Sequence, residues 1–292
     1  QKVNARRRQN RGFAQRMKRV LVFDSGVGGL SVFDALVVSG AALELDYVAD
    51  NAWLPYGLKS DADLRARVPA LLAALAAQWA PDAIVVACNT ASTIALDAVR
   101  AAVAQPVIGV VPPIKPAAAQ SRTGVIGLLA TPATVRRAYT DDLIAQFAAD
   151  KAVIRFGSAA LVAEAERRLR GEAGDGAPIA EAIDGLFAAP GGAEIDVVAL
   201  ACTHFPLLAA DLAAAAPRAC AWLDSGAAIA RRAAHVLSAP PGPARARRAG
   251  FTDADSARAL LPAFSGRGFS MFARIGAAPA FDAAPIEDSA CA

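Results

Sequence analysis

Two stretches of the chain repeat one pattern: Asp82-Ala-Ile-Val-Val-Ala-Cys88-Asn89-Thr90 and Asp196-Val-Val-Ala-Leu-Ala-Cys202-Thr203-His204. In each, an acidic residue opens an apolar run of strand character that ends on a cysteine followed by small polar residues. The spacing from the aspartate to the thiol is the same in both. A duplicated strand that ends in a thiol constrains the fold strongly. It predicts two similar halves meeting face to face, with one sulfur on each side of a shared cleft. A single free cysteine is most often a small buried hydrophobe, whereas two in a matched repeat point to chemistry. Opposed thiols can carry a proton across one carbon.

Around these stretches, short Val/Ile/Leu-rich runs at 20–24, 45–49, 83–88, 107–111, 125–130, 153–156, 197–202 and 221–224 alternate with Ala-rich helical segments at 61–79, 92–104, 134–148, 158–170 and 227–238. This alternation predicts an α/β protein built from βαβ units. The expected architecture is two similar doubly wound domains with mostly parallel sheets, related by pseudo-symmetry, with the active site in the cleft between them. The Pro112-Pro113-Ile114-Lys115-Pro116 run stiffens the backbone and is a natural crossing between halves. The expected division is a first domain of residues 19–112 plus 224–276 and a second of 113–223. A disordered basic extension at 1–18 and a disordered tail at 277–292 flank them, and 239–243 reads as a loop.

The net charge of +3 conceals a split, because eight basic and no acidic residues stand in the first 19 positions, leaving 22 basic against 27 acidic residues (22 − 27 = −5) in the remainder. The folded part therefore lacks the basic footprint of a nucleic-acid binder. The leading segment has no apolar core of a secretory signal, and no window offers the roughly 20 unbroken apolar residues of a spanning helix. No nucleic-acid or membrane partner is expected. The cysteines at 88, 202, 220 and 291 form no Cys-x-x-Cys pair, which argues against a zinc site or disulfide framework and for a reducing cytoplasm.

In open α/β sheets, ligands gather at the carboxyl ends of strands, the position of both Cys88 and Cys202. Polar residues after each thiol have N-cap character, so helix N-termini are expected beside both sulfurs, favouring thiolate and binding carboxylate. Asp24-Ser25-Gly26-Val-Gly28-Gly29 is a strand entering a glycine-rich turn; the third glycine of a dinucleotide fingerprint is replaced by Ser31. Asp24 could act as a turn residue, accept from an ammonium group, or assist a neighbouring thiol. Pro55-Tyr56-Gly57 follows another strand and could present backbone N–H groups and a phenol. Thr131 and Thr134 hold the position in the second half that Asp24 and Ser25 hold in the first, and could cap a helix or touch ligand. His204 lies beside Cys202, while His235 sits among Ala and Val in a helix and reads as structural. No Gly-x-Ser-x-Gly elbow or metal-ligand spacing is present, and none of the five lysines lies in a phosphate-binding context.

Taken together, the motifs around Asp24-Ser25-Gly26, Pro55-Tyr56-Gly57, Cys88-Asn89-Thr90, Thr131-Pro-Ala-Thr134, Cys202-Thr203-His204 and Asp224-Ser225-Gly226 occur in an order that resembles the cofactor-independent glutamate racemases of the aspartate/glutamate racemase superfamily. The resemblance runs from about Val20 to the segment around Phe251. It implies that Cys88 and Cys202 are the catalytic acid/base thiols, that Asp24 and His204 tune them, and that Asp24, Ser25, Pro55, Tyr56, Gly57, Asn89, Thr90, Thr203 and His204 hold the substrate. It also implies a glutamate on a second-domain helix, matched by Glu166 or by Glu164. The implied activity is interconversion of L- and D-glutamate without cofactor or metal, in a bacterial cytoplasm and by a homodimer, supplying D-glutamate for peptidoglycan and so for cell-wall biogenesis and cell shape. An aspartate or hydantoin racemase, or a non-catalytic small-ligand-binding protein, is the alternative. A superfamily decarboxylase would need only one cysteine.

Overall fold

The computed structural model describes residues 16–277, 281 and 283–286. Eleven strands are present among them: β1 (Lys18–Asp24), β2 (Leu43–Ala49), β3 (Ala83–Val86), β4 (Val107–Gly109), β5 (Val125–Ala130), β6 (Ala152–Gly157), β7 (Val197–Leu200), β8 (Ala221–Leu223), β9 (Arg245–Phe251), β10 (Met271–Ile275) and β11 (Ala283–Pro285). The helices that position the site are α1 (Leu30–Val37), α2 (Asp61–Trp79), α3 (Asn89–Ala102), α4 (Ile114–Gln120), α5 (Pro132–Val135), α6 (Ala138–Phe147), α7 (Ala160–Leu169), α8 (Ala177–Phe187), α9 (Ala209–Ala215) and α10 (Gly226–Leu237). No helix among the described residues is long and apolar enough to cross a membrane.

Two sheets form. The first has the order β11-β10-β9-β2-β1-β3-β4 and the second β6-β5-β7-β8. The run β2-β1-β3-β4 is matched strand for strand by β6-β5-β7-β8, and every neighbour in both runs is parallel. Parallel strands covered by helices on both faces are buried on both, which is why they read as unbroken apolar runs. Leu21, Phe23, Ile84 and Val86 pack with α2 and α3, while Val20, Val22 and Val85 pack on the opposite face with α1 and α10. In the second sheet, Leu129, Val198 and Leu200 meet α7 and α8, and Ile126, Leu128 and Val197 lie on the other face with α4 and α6.

The repeated aspartates have a matching structural task. Asp82 accepts from the Arg19 N–H at 2.7 Å as β1 begins, and Asp196 accepts from the Arg122 and Thr123 N–H groups at 2.7 and 3.1 Å just before β5. At the other end of each strand, the N–H of Ala87 donates to Phe23 O and that of Ala201 to Leu129 O, both at 2.8 Å. The two thiols thus leave their sheets at equivalent points, beside the first strand of each half.

The structure corrects several expectations. Of the basic extension, residues 1–15 lie outside the described residues, Lys18 already belongs to β1, and Arg16 reaches Asp82 at 2.7 Å. Of the tail, 278–280, 282 and 287–292, Cys291 included, lie outside the described residues. Ala283–Pro285 is a strand, antiparallel to β10, and is not structureless. The Gln78 amide brackets this segment, donating to Phe281 O at 3.1 Å and accepting from the Ala283 N–H at 3.0 Å. The single helix expected over 134–148 is two, because the Thr140 hydroxyl takes the Thr134 carbonyl at 2.7 Å and Arg137 turns extended (φ −79°, ψ 139°). Residues 112–116, the expected crossing between the halves, lead directly into α4.

Candidate active site

The order reverses between β1 and β3 in the first sheet and between β5 and β7 in the second, and such a switch point opens a crevice at the strands' carboxyl ends. Asp24, at the end of β1, is fully buried; its carboxylate accepts from the Gly26 N–H and from Thr203 Oγ1, each at 2.9 Å. Burial raises its pKa above the usual carboxylate range, against the pull of His204 and these donors. Tyr47, on the neighbouring strand, donates its buried hydroxyl to Gly26 O at 2.7 Å and supports the turn from below. Sequence reasoning gave no weight to this tyrosine.

The glycines of that turn let the second half approach. A Cβ at Gly26 would stand 2.2 Å from Glu166 Oε1, and one at Gly28 would stand 2.4 Å from His204 Nδ1. Through this gap the Val27 N–H donates to Glu166 Oε1 at 2.8 Å, and Ser31 Oγ donates to Thr203 O at 2.8 Å.

The two thiols differ in their partners. Cys88 is the N-cap residue of the 14-residue α3 and lies 3.7 Å from Ser25 Oγ. Burial and the nearby charge of Asp24 push its pKa up to about 12, although the Ala91 N–H and Ser25 pull it down. Desolvation thus outweighs the thiolate-favouring helix N-terminus expected beside this sulfur. Cys202 is followed by a turn and a short 3-10 helix over Phe205–Leu208 ahead of the seven-residue α9, so the expected helix N-terminus is missing there. In its place stands His204, with Nδ1 3.7 Å from Cys202 Sγ and Nε2 2.8 Å from Glu166 Oε1. Burial pulls the His204 pKa down, but hydrogen bonds and charge from Cys202 and Glu166 overcome it and hold the imidazolium well above its ordinary range.

Glu166 and Glu164 separate by face. Residues two apart on a helix point in different directions, and Glu164 is engaged by Arg167 and Arg168 on the far side of α7 while Glu166 meets His204.

Ser25, Pro55, Tyr56, Gly57, Cys88, Asn89, Thr90, Cys202, Thr203 and His204 all line one small cavity with about 30 Å³ of free space, so the structure brings the sequence-predicted residues together. Asp24 stands just behind it. Leu54, Thr131 and Val162 complete the wall. Thr131 takes its expected capping part, its hydroxyl accepting from the Thr134 N–H at 3.3 Å as the N-cap of α5. Tyr56 departs from expectation: its hydroxyl donates to Asp50 at 2.6 Å, so the phenol oxygen is already engaged. The buried Asn89 Oδ1 has no hydrogen-bond partner among the described residues, which leaves an acceptor at the cavity wall. The cavity opens into a wider, largely apolar space of about 310 Å³ that shares Leu54, Pro55, Gly57, Thr131 and Val162 with it. Near its rim, Arg137 of the second half pairs with Asp61 of the first through two 3.1 Å contacts.

Comparison with known proteins gives a consistent picture. The Asp/Glu/Hydantoin racemase family matches residues 34–233. A glutamate racemase from Sphingopyxis alaskensis is 53% identical over 225 residues, spanning 77% of this chain and 84% of that protein. One from Salmonella typhimurium is 46% identical over 218 residues, spanning 75% and 76%. Among solved structures, Escherichia coli glutamate racemase in complex with L-glutamate and the activator UDP-MurNAc-Ala superposes with a TM-score of 0.81 at 40% identity, covering 93% of this chain and all of that one. Glutamate racemase from Thermus thermophilus, in complex with β-chloro-D-alanine, gives a TM-score of 0.70 at 31% identity, covering 89% and 97%. A family match across most of the chain, joined to kinship this close, means that the chain belongs to the Asp/Glu/Hydantoin racemase family.

Proposed function

We propose that this protein interconverts L- and D-glutamate by moving the Cα proton between two thiols. The observation that carries the reading is that Cys88 and Cys202 border one buried cavity, each with a polar partner of its own. Two bases on opposite faces can racemise a carbon without turning the substrate over. One thiolate takes the Cα proton, so that C–H breaks as S–H forms and the electron pair stays on carbon. The opposing S–H then delivers its proton to the other face. Cys88, kept protonated by burial, serves as the acid, Cys202 beside the His204–Glu166 pair serves as the base, and the roles reverse with the other enantiomer. Carbanion charge is met by preorganised donors at the substrate carboxylate, Thr90 among them, in a site closed to water. Asn89 Oδ1 accepts from the substrate ammonium.

On this reading residues 18–112, with 224–276 and the strand Ala283–Pro285, form one domain and 113–223 the other, with the site between them. The protein works without cofactor as a homodimer in the bacterial cytoplasm, and its product D-glutamate enters peptidoglycan. Kinship with bacterial glutamate racemases supports these assignments, and the turns at 55–57 and 202–204 favour glutamate over aspartate. Circular dichroism of an L-glutamate solution with purified protein and no added cofactor tests the activity: the signal decays to zero, and in heavy water the Cα position gains deuterium. Cys88→Ala and Cys202→Ala each abolish that decay. Near wild-type racemisation by both single variants would refute the two-thiol scheme, and faster turnover of aspartate than of glutamate would refute the substrate.

A further inference from the structure

Beneath the turn at 55–57 lies a buried charge that the chemistry above does not use. Asp50, at the end of β2, is fully buried, and its N–H donates to Asp24 O at 2.9 Å. Its carboxylate receives four donors: Tyr56 Oη at 2.6 Å and Arg67 Nε at 2.7 Å on Oδ2, then Arg67 Nη2 at 2.7 Å and Thr252 Oγ1 at 2.8 Å on Oδ1. The guanidinium of Arg67 lies 4.5 Å from the Trp53 ring centroid and 5.3 Å from that of Phe281, so the carboxyl-terminal segment packs over its outer side. Arg67 thus makes a planar two-point contact within an aromatic slot. A buried carboxylate held this way is fixed in orientation as well as in charge.

The consequence falls on Tyr56. Its ring lines the cavity beside Cys88, and its hydroxyl hangs on the same oxygen that Arg67 grips. We propose that Arg67 is a positioning residue for the cleft: through Asp50 and Tyr56 it sets where the turn at 55–57 stands against Cys88. Arg67 itself does not line the cavity, so it acts on substrate binding through that turn. This inference rests on the racemase reading.

The test measures KM and kcat for glutamate, together with Tm, in wild type, Arg67→Lys, Tyr56→Phe and the double variant. Arg67→Lys keeps the charge but replaces the fork with a point donor, and it raises KM about tenfold while kcat stays within about threefold. Tyr56→Phe leaves the Asp50–Arg67 pair intact and removes only the link, so it also raises KM and remains informative if the lysine variant fails to fold. Because both act along one path, the double variant is no worse than the poorer single. An unchanged KM in Tyr56→Phe overturns the proposal, as does an Arg67→Lys variant whose only defect is a lower Tm. Effects that multiply in the double variant overturn it too. Wild-type protein that fails to racemise glutamate at all defeats the racemase reading, and this inference with it, by a different result.

Discussion

Adding one methyl group at Gly28 tests how the two halves of the site depend on each other. The Cβ of an alanine there would stand 2.4 Å from His204 Nδ1, 2.6 Å from Thr203 Oγ1 and 2.7 Å from His204 Cε1, where ordinary contact begins at 3.4 Å. The imidazole must therefore retreat by about 1 Å (3.4 − 2.4). It has little room to do so. Glu166 holds its far nitrogen at 2.8 Å and is itself held at 2.8 Å by the Val27 N–H of the opposite half, while Thr203 is tied to Asp24 at 2.9 Å. Either His204 leaves Cys202 or the halves separate. Overpacking of this kind costs about 1–3 kcal/mol, which lowers Tm by roughly 2–5 °C in a chain of this size. A misplacement of about 1 Å at the reacting groups costs on the order of a hundredfold in kcat/KM. Circular dichroism of glutamate solutions, started from either enantiomer, reads the rate, and thermal unfolding reads the stability. Gly176→Ala is the control, because a Cβ there meets nothing within 4 Å and the backbone φ of −75° suits alanine. A Gly28→Ala protein with kcat/KM within about threefold of wild type would refute the claim that contact between the halves seats the imidazole.

Other perturbations separate the parts of the site. Glu166→Gln keeps the shape but removes the charge that favours the His204 imidazolium, so kcat/KM falls about 10- to 100-fold and the His204 limb of the pH–rate profile moves to lower pH; a fixed limb would exclude the pairing. The Cys88 thiol titrates near 12 in the folded chain against 9.0 as its reference. As pH rises past 9 the unfolded chain releases that proton while the folded chain keeps it, so stability falls. Cys88→Ser should lose less Tm than wild type between pH 8 and about 10.5, and parallel curves would contradict the assignment. Asp196 is affected the other way: although desolvation pushes it up, donors from Ser121, Arg122 and Thr123 together hold it down to about 2 from 3.8. The stability it adds is present above 3.8 and lost as pH falls towards 2. Asp196→Ala should lower Tm at neutral pH, lose less than wild type on acidification, and leave KM for glutamate unchanged.

Much of this architecture was legible in the chain because its signals are local. Strands buried on both faces show as apolar runs wherever they occur, and the paired Asp-to-Cys spacing reports two such strands with the same anchor and the same exit. Strands β9 and β10 escaped notice because their sequences, Arg-Ala-Arg-Arg-Ala-Gly-Phe and Met-Phe-Ala-Arg-Ile, are broken by charge. Arg247 and Arg248 are accommodated there by Asp46 on the adjacent β2, at 3.3 and 3.1 Å, a pairing that no neighbour in sequence announces. The choice between Glu164 and Glu166 depended on which face of α7 meets the glycine turn, and that is decided by how the halves dock. The raised pKa of Cys88 was hidden for a related reason. A helix N-terminus can be read from Asn89-Thr90-Ala-Ser, whereas the desolvation that overrules it comes from the whole surrounding fold.

The two sulfurs sit on matching strands but keep unlike company, a helix end and a serine for one, a histidine and a carboxylate for the other. Mirror-image amino acids have equal free energy in water, so an enzyme that interconverts them must show the same kcat/KM from either side. Unequal proton carriers can then express themselves in only one manner: the hand that is gripped more firmly turns over more slowly, in the same proportion.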